Sequence, residues 1–314
     1  MTTYPLFDLH CDTLYECLKQ NKRLSANNLA VSLDRLAEYE KSCQVLAMWS
    51  DWRIDEEAAW RRFLEARKKL ADELSETDTA RLCTDDASLK ECERDGRTAL
   101  FLAVEGGKLI ANDISRVDAM YKSGVRFLTL VWDKICKIGG AHDTDEGLTP
   151  FGREVVRRCL TLGIIPDLSH ASDKMIDEVL EICEGEGKVC IATHSNSRAM
   201  CDHRRNLTDD RFTRIAKLGG IVGVSLAPMH LTKDEICTVA DVVRHIEHYM
   251  SLGGENTVCL GCDLDGVEKL PEGIRSVSDL AKIADLLGQN GYTDECIEKI
   301  FYANARNFIS LWLN

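Results

Sequence analysis

Eight apolar segments alternate with stretches of helical periodicity along nearly the whole chain, and this alternation restricts the fold more than any other feature of the sequence. A strand that returns parallel to its neighbour through a helix is buried on both faces, so its sequence is almost continuously apolar. The segments have that character. The predicted strands are residues 4–13, 42–49, 98–107, 125–132, 163–170, 188–194, 219–226 and 257–263.

The signals between these strands indicate helices and favour a (β/α)8 TIM-type barrel, an α/β fold with an inner ring of eight parallel strands. Thr149 precedes Pro150, the order expected of a helix N-cap and the first helical position. Asp55 precedes two glutamates at the start of a long amphipathic segment, where the helix dipole favours acidic residues. With five prolines and no low-complexity stretch, no linker is visible, and residues 1–314 are predicted to form a single barrel domain.

The composition argues against several classes of function. A formal charge of −13 disfavours a nucleic-acid partner, because phosphates require a basic surface. No apolar run approaches the ~20 residues of a membrane span, and no Gly-x-Gly-x-x-Gly motif follows the first strand. The first residues lack the basic and apolar regions of a secretory leader. The 14 cysteines are therefore interpreted as reduced, mostly buried side chains, and the protein is expected to be cytoplasmic.

Residue types that bind metals stand at the ends of five predicted strands, on the face where a barrel performs chemistry. In the first strand, His10 and Asp12 are two positions apart and share a face, whereas Cys11 points away. Each candidate also has an explanation as a turn or capping residue, but their common position predicts one shared site. The remaining candidates end strands three, five, six and eight: Glu105, His170, His194 and Asp263.

Three imidazoles and three carboxylates match the ligand preferences of zinc. This number of donors is sufficient for two ions, and Glu105 stands between the two halves of the set, where a carboxylate can bridge them. A paired site activates water and polarises a carbonyl group. The sequence therefore predicts a zinc site suited to hydrolysis.

Other candidate residues have simpler interpretations. His245 and His248 lie three apart on one predicted helix without a third ligand, which predicts a solvated helix face. Asp265 shares the ligand face of the last strand but lies beyond its end. In an acidic protein, Arg204 and Arg205 can be ordinary ion-pair partners.

Taken in order, several motifs resemble those of the membrane (renal) dipeptidases, which are zinc peptidases of the amidohydrolase superfamily. The resemblance covers nearly the whole chain and implies a metal-dependent amidohydrolase barrel. The motifs are Asp8-Leu-His-Cys-Asp-Thr13, Val104-Glu-Gly-Gly107, Gly147-Leu-Thr-Pro-Phe-Gly-Arg-Glu-Val-Val156, Asp167-Leu-Ser-His-Ala-Ser172, His194-Ser-Asn-Ser-Arg-Ala199, Arg204-Arg-Asn-Leu-Thr-Asp-Asp210 and Gly261-Cys-Asp-Leu-Asp-Gly266.

The resemblance implies a ligand set for two zinc ions. His10 and Asp12 would hold the first ion, and His170 and His194 would hold the second. Glu105 would bridge the two in place of the modified lysine used by many relatives.

The resemblance also implies roles around the metals. Asp263 would act as general base and then general acid, and Arg205 would bind the C-terminal carboxylate of the substrate. One position departs from the family, because Trp132 stands where better-known members carry a histidine that contacts the substrate carbonyl. An indole donates a hydrogen bond but cannot become cationic. Trp132 is therefore a substrate-binding candidate or an aromatic pocket wall, and His142 on the following loop is a candidate substitute.

Three functions remain open at this point. The favoured one is zinc-dependent hydrolysis of dipeptides, with C-terminal D-residues among the candidate substrates and an aspartate as proton shuttle. The alternative is a related metal-dependent amidohydrolase that acts on another amide, an ester or an N-acyl amino acid. A non-catalytic barrel is the third, which loss of a ligand would favour, and none is lost. The expected partner is a small dipeptide, with no membrane or nucleic acid; a homodimer is one open alternative for the oligomeric state.

Overall fold

A parallel sheet that curls into a barrel is the centre of the molecule, for which the computed structural model describes residues 4–314. Its neighbouring strands follow the order β6-β5-β4-β2-β1-β8-β7, and β3 pairs with the start of β4 outside this path. The strands are β1 Leu6–Cys11, β2 Ser42–Trp49, β3 Ala80–Leu82, β4 Thr98–Glu105, β5 Val125–Thr129, β6 Ile165–Asp167, β7 Val222–Val224 and β8 Val258–Leu260.

The chain between β6 and β7 closes the ring. Ile191 pairs in parallel with Asp167, and Ala192 pairs in parallel with Val222. These contacts put residues 190–193 in the position of the missing eighth barrel strand. The predicted (β/α)8 fold class is confirmed.

The prediction of a continuous strand over residues 188–194 is wrong, because only two of these residues pair with neighbouring strands. The backbone amides that follow these two residues donate to side chains instead of to a neighbouring strand. The Thr193 amide donates to Asp167 Oδ1 at 2.9 Å, and the His194 amide donates to Ser169 Oγ at 3.1 Å. Six other strands are shorter than predicted, and β3 was not predicted.

Helices surround the barrel, and two begin where the sequence predicts a cap. Thr149 Oγ1 accepts the amide of Gly152 at 2.9 Å, and Asp55 accepts the amide of Ala58 at 2.7 Å. A π-helical segment over Lys299–Ala303 interrupts the predicted last helix. Within residues 4–314, no helix combines the length and the apolar character needed to cross a membrane. The helices are α1 Thr13–Lys19, α2 Leu33–Leu36, α3 Glu56–Ser75, α4 Asp86–Asp95, α5 Ser115–Lys122, α6 Pro150–Leu162, α7 Asp173–Glu186, α8 Asp209–Lys217, α9 Pro228–Leu231, α10 Val239–Ser251, α11 Ala281–Gln289, α12 Asp294–Glu298 and α13 Asn304–Trp312.

An apolar cluster fills the barrel below the strand ends, and we call it the phenylalanine cluster after Phe7, Phe101 and Phe127. The Phe7 and Phe101 rings stack with centroids 6.1 Å apart, and Phe127 meets Phe101 edge-on at 6.0 Å. Along β4, Phe101 and Ala103 both belong to the cluster. Because side chains alternate along a strand, Glu105 continues this inward face at the C-terminal end of β4.

An irregularity in β1 turns the first predicted ligand inward. The pairing of β1 with β2 shifts register between Asp8 and Cys11. Leu9 packs in the phenylalanine cluster, yet its neighbour His10 reaches Glu105, at 3.7 Å between Nε2 and Oε2. Cys11 packs on the opposite side, in the cluster between sheet and helices. Because of this local shift, the inward face of β1 ends with His10, a candidate metal ligand, rather than with another apolar residue.

Candidate metal centre and cavity

The carboxylate of Glu105 is the centre of the site, and its two oxygens face different histidines. Oε1 lies 3.0 Å from His170 Nε2 and 3.4 Å from His194 Nε2. Oε2 lies 3.7 Å from His10 Nε2. Glu105 is 2% exposed, so its charge is shielded from water and must be balanced by these neighbours or by a cation.

Hydrogen bonds orient His170 and His194 so that their Nε2 atoms converge. His170 Nδ1 donates to the Trp132 carbonyl at 3.0 Å, and His194 Nδ1 donates to Thr193 Oγ1 at 2.8 Å. Thr193 Oγ1 in turn donates to Asp167 Oδ2 at 2.6 Å. With both Nδ1 atoms protonated, both Nε2 atoms carry lone pairs, and they lie 2.9 Å apart. This arrangement is typical of imidazoles held for a metal ion.

His10, Asp12 and Asp263 form a second group on the other side of Glu105. His10 Nε2 lies 3.7 Å from Asp12 Oδ2 and 3.9 Å from Asp263 Oδ1. His10 Nε2 and Asp12 Oδ1 are buried without a hydrogen-bond partner in residues 4–314. Buried polar atoms are normally paired, so the donor set fits a cation at this position.

The electrostatics of the site agree with that requirement. Burial and the nearby Glu105 charge raise the pKa of Asp12 to about 7. Burial raises the pKa of Asp263 well above its ordinary value, although His10 opposes this, and Asp12 adds to it. Burial also lowers the pKa of His170 to about 4, with Arg205 contributing. Glu105 and His10 shift the other way: burial opposes both charged forms, but Glu105 raises the pKa of His10 well above its ordinary value, and His10 lowers the pKa of Glu105 well below its own. A bound cation would ease the ionisation of Asp12 and Asp263 and would favour the neutral form of His170.

The backbone takes unusual conformations where the strands end in functional residues. His170 has φ +69° and Asp263 has φ +59°, both in the left-handed region that non-glycine residues seldom occupy. A Cβ at Gly266 would clash with Asp263 Oδ1 and Asp12 Oδ2. The turn after β8 therefore requires glycine at this position to bring the two carboxylates together.

A cavity of about 720 Å³ opens above these side chains, and Arg205 forms part of its wall. Arg205 is 4% exposed, and it donates to Ser195 Oγ at 2.8 Å and to the His194 carbonyl at 2.9 Å. Within residues 4–314, no carboxylate lies within 4.0 Å of its guanidinium, and its Nε has no partner. The interpretation of Arg205 as an ordinary ion-pair partner is therefore wrong; its neighbour Arg204 has that role, with Asp145.

Trp132 and His142 also line this cavity, as their roles as substrate-binding candidates require. The Trp132 ring packs edge-on against Trp49 with centroids 4.9 Å apart. His142 lies 6.0 Å from the His170 ring, and burial together with His170 lowers its pKa to about 3. A neutral His142 therefore faces the cavity. His230, which sequence reasoning missed, lines the same wall.

Two weaker candidates are structural. The prediction that His245 lies on a solvated face is wrong, because it is fully buried. Its Nδ1 accepts the Ser197 amide at 3.0 Å, and its Nε2 donates to the Leu231 carbonyl at 2.9 Å. Asp265 accepts the Thr13 hydroxyl at 2.5 Å and the Ala30 amide at 2.7 Å, which occupies its carboxylate.

Two buried aspartates that sequence reasoning missed connect the strand ends. Asp8 Oδ1 accepts the Cys262 amide at 2.8 Å and so ties β1 to the chain that follows β8. Asp167 accepts the hydroxyls of Thr129 at 2.5 Å and Thr193 at 2.6 Å. Both stand in the motifs quoted above, but nothing in their local sequence distinguishes them from turn residues.

Comparison with known proteins gives one consistent result. The sequence model described as membrane dipeptidase (Peptidase family M19) matches residues 1–310. A solved metallopeptidase of family M19, described as dipeptidase AC, has a TM-score of 0.91 at 26% identity, and the match covers 99% of each chain. A metallopeptidase from Rhodobacter sphaeroides, solved with a phosphinate mimic of the dipeptide L-Ala-D-Ala, has a TM-score of 0.89 at 25% identity. That match covers 99% of this chain and 100% of the other.

Human Dipeptidase 3 is 28% identical over 97% of this chain. The chain spans 64% of the length of that human protein. The similarity to both solved peptidases extends over the strand ends and the loops that carry the candidate metal centre.

Proposed function

Because the chain belongs to the membrane dipeptidase family, Peptidase family M19, and is a hydrolase of the metallo-dipeptidase type, we propose that it hydrolyses dipeptides with two zinc ions at the centre described above. The family resemblance found in the motifs is confirmed. A metal cofactor follows from the family, whereas the identity and number of the ions, the proton shuttle and the substrate preference are parts of the proposal.

The divergent oxygens of Glu105 are the observation on which the proposal rests. One oxygen faces His170 and His194, and the other faces His10, which lies beside Asp12. Each half provides imidazole nitrogen and carboxylate oxygen, which are ordinary zinc ligands. In this assignment Glu105 serves both halves.

The chemistry divides between the metals and the protein. Ions held there would supply Lewis-acid activation of the attacking water and of the scissile carbonyl. Asp263 accepts the proton that the water loses and returns it to the departing amine, which is general base and then general acid catalysis. Its position beside His10 and its raised pKa both suit a carboxyl that carries a proton during part of the cycle.

Arg205 binds the C-terminal carboxylate of the substrate. A buried guanidinium without a carboxylate partner is costly, and a substrate anion supplies that partner inside the cavity. This need also separates the proposal from its alternative, a related amidohydrolase acting on another amide, an ester or an N-acyl amino acid. Because the Arg205 guanidinium requires a carboxylate partner, substrates with a free C-terminus are favoured.

The metal assignment is tested by elemental analysis of pure, metal-replete protein. We expect close to two zinc ions per chain. Glu105→Gln should weaken the binding of both ions by more than about tenfold, because even an outer-shell partner contributes that much. A content well below one metal per chain in the metal-replete wild type would rule out the two-zinc centre.

The substrate assignment is tested with a dipeptide panel that includes L-L and L-D pairs. The Rhodobacter sphaeroides peptidase binds a mimic of L-Ala-D-Ala, so C-terminal D-residues belong in this panel. Dipeptides that end in an amide are the control, because they lack the anion for Arg205. Equal rates on free and amidated dipeptides would contradict the carboxylate contact and favour the alternative amidohydrolase.

A further inference from the structure

A second cavity of about 710 Å³ lies next to the one above the candidate metal centre. Its wall includes Trp52, Ile135 and Phe151, with Trp52 45% exposed and Ile135 61% exposed. Within residues 4–314, none of the candidate metal ligands lines this second cavity. The two cavities share two lining residues, Trp132 and Asp133.

Packing holds the Trp132 ring at this boundary. Its indole lies edge-on against Trp49 at 4.9 Å, and Trp49 lies edge-on against Tyr15 at 5.2 Å. The Trp132 backbone is anchored by the hydrogen bond from His170 to its carbonyl. Gly106 packs against the base of this side chain, where a Cβ would lie 3.2 Å from Trp132 Cβ. Trp132 is therefore held in place at the boundary that the two cavities share.

The barrel order shows which end of a substrate this wall faces. Arg205 contacts Ser195 and His194, just after the 190–193 segment. Trp132 follows β5, two positions from that segment around a ring of eight, and its ring lies 5.8 Å from that of His170. It packs against Trp49 at the end of β2, which stands four positions from the segment. The Trp49 end of this aromatic wall therefore lies across the cavity from Arg205, and Trp132 connects that end to the metal ligands. With the C-terminal carboxylate at Arg205, the wall faces the N-terminal residue.

We propose that Trp132 is a partition that limits the size of the N-terminal side chain, and that the neighbouring cavity becomes an extension of the substrate site when this indole is removed. The inference rests on the proposed dipeptidase function and deepens it. A pocket that is too small rejects a larger side chain by steric overlap, whereas added apolar volume contributes new contacts. Trp132 is thus a specificity-determining residue.

The test compares two dipeptide series in the zinc-loaded enzyme. In the first, the N-terminal residue grows from Ala through Leu and Phe to Trp while the C-terminal residue stays Ala. In the second, only the C-terminal residue grows. The readout is the ratio of kcat/KM for the largest and smallest members of one series. This ratio does not depend on the fraction of enzyme that is folded or loaded.

For Trp132→Ala, we expect the ratio in the first series to rise at least about tenfold over wild type, the scale on which pockets discriminate apolar groups. The ratio in the second series should change less than about threefold. Trp132→Phe keeps most of the wall and should give an intermediate ratio. Trp52→Ala, which alters only the neighbouring cavity, should leave the wild-type ratios unchanged and reduce the gain when combined with Trp132→Ala.

The outcomes separate the partition from the function on which it rests. Wild type that hydrolyses dipeptides, with the Trp132→Ala ratios unchanged or shifted only in the second series, would overturn the partition alone. A zinc-loaded wild type that hydrolyses neither series would overturn the dipeptidase proposal and the partition with it. A gain in the first series that Trp52→Ala reduces supports the extension into the second cavity.

Discussion

The interior of the barrel contains two regions of opposite character, and a single strand passes through both. On the same face of β4, Phe101 lies in the phenylalanine cluster and Glu105 lies in the candidate metal centre, only four residues further along. The lower region packs aromatic rings against apolar side chains. In the upper region, His10 and Asp12 have buried atoms without partners in residues 4–314.

The difference shows that the lower region of the barrel contributes mainly to stability and that the upper region carries the groups suited to chemistry. Packing in the phenylalanine cluster stabilises the barrel, because each buried aromatic side chain removes a large apolar area from water. The upper region instead holds Asp12 and Asp263, whose pKa values burial raises, and residues in the left-handed backbone region, His170 and Asp263 among them. Such features destabilise a protein unless a ligand compensates them. Substitutions in the two regions should therefore affect different properties.

The largest expected effect is on catalysis at Asp263. Asp263→Asn keeps the shape of the side chain but cannot accept and return a proton, so kcat should fall by about 10²–10⁴ while zinc content and stability stay close to wild type. Asp265→Asn is the matched control. The Asp265 carboxylate accepts hydrogen bonds from Thr13 and Ala30, so this variant should be less stable than wild type. Its fold-decrease in kcat should be less than about a tenth of that of Asp263→Asn.

Steady-state kinetics, elemental analysis and urea unfolding on the same preparations check this prediction. Retention of more than about a tenth of kcat with both metals bound would move the proton shuttle elsewhere, with His142 the next candidate. Loss of zinc would instead identify Asp263 as a ligand, consistent with its 3.9 Å distance from His10.

The second prediction concerns the lower region. Phe101→Ala should lower the free energy of unfolding by about 3–5 kcal/mol, because it removes a fully buried ring and leaves a cavity among Phe7 and Phe127. Phe101→Leu should cost less than about 1.5 kcal/mol if the cluster repacks. Urea unfolding measures both, and the folded variants should still bind zinc. Loss of metal without loss of stability would mean that the two regions are coupled.

The third prediction concerns Arg205. Arg205→Ala should lower kcat/KM for dipeptides with a free C-terminus. The expected loss of transition-state stabilisation is about 2–4 kcal/mol, the scale seen when a buried charged partner is removed. Arg204→Ala is the control, because Arg204 pairs with the exposed Asp145 at the surface and should change the free energy derived from kcat/KM by less than about 0.5 kcal/mol. The effect of Arg205→Ala should shrink on amidated dipeptides. An equal loss on both substrates would indicate a structural role.

The smallest expected effect concerns pH and His245, which ties two loops near the cavity. Burial lowers the pKa of His245 to about 4, below the ordinary value of about 6.5. Between these values the unfolded chain binds more protons than the folded one, so the His245 contribution is present above pH 6.5 and is lost as the pH falls towards 4. Linkage gives a loss of up to about 3 kcal/mol.

Urea unfolding of metal-free wild type and His245→Gln at pH 7 and pH 4.5 checks this. Glutamine hydrogen-bonds but does not titrate, so the difference in stability between the two proteins should shrink on acidification. A difference that is constant with pH would assign the acid sensitivity to other groups.

Residues of the candidate centre were found from the sequence because the barrel collects all strand ends on one face. The six predicted side chains at those ends lie around one cavity floor, although their roles as metal ligands and proton carrier stay predictions. At His245, periodicity alone could not distinguish a buried helix position with polar partners from a solvated one. Over residues 188–194, side chains replace strand pairing, and an apolar pattern does not show this.

The sequence by itself determined the fold class, the alternation of strands and helices and the positions of the ligand-type residues, because strand alternation and helix capping are local properties of the chain. Tertiary structure decided the rest. A register shift in β1 turns His10 inward, and partners distant in the chain position the site: Asp8 receives the amide of Cys262, 254 residues away, and Asp167 receives the hydroxyl of Thr129, 38 residues away. Such contacts exist only after the strands have met in the barrel, so no local pattern can encode them.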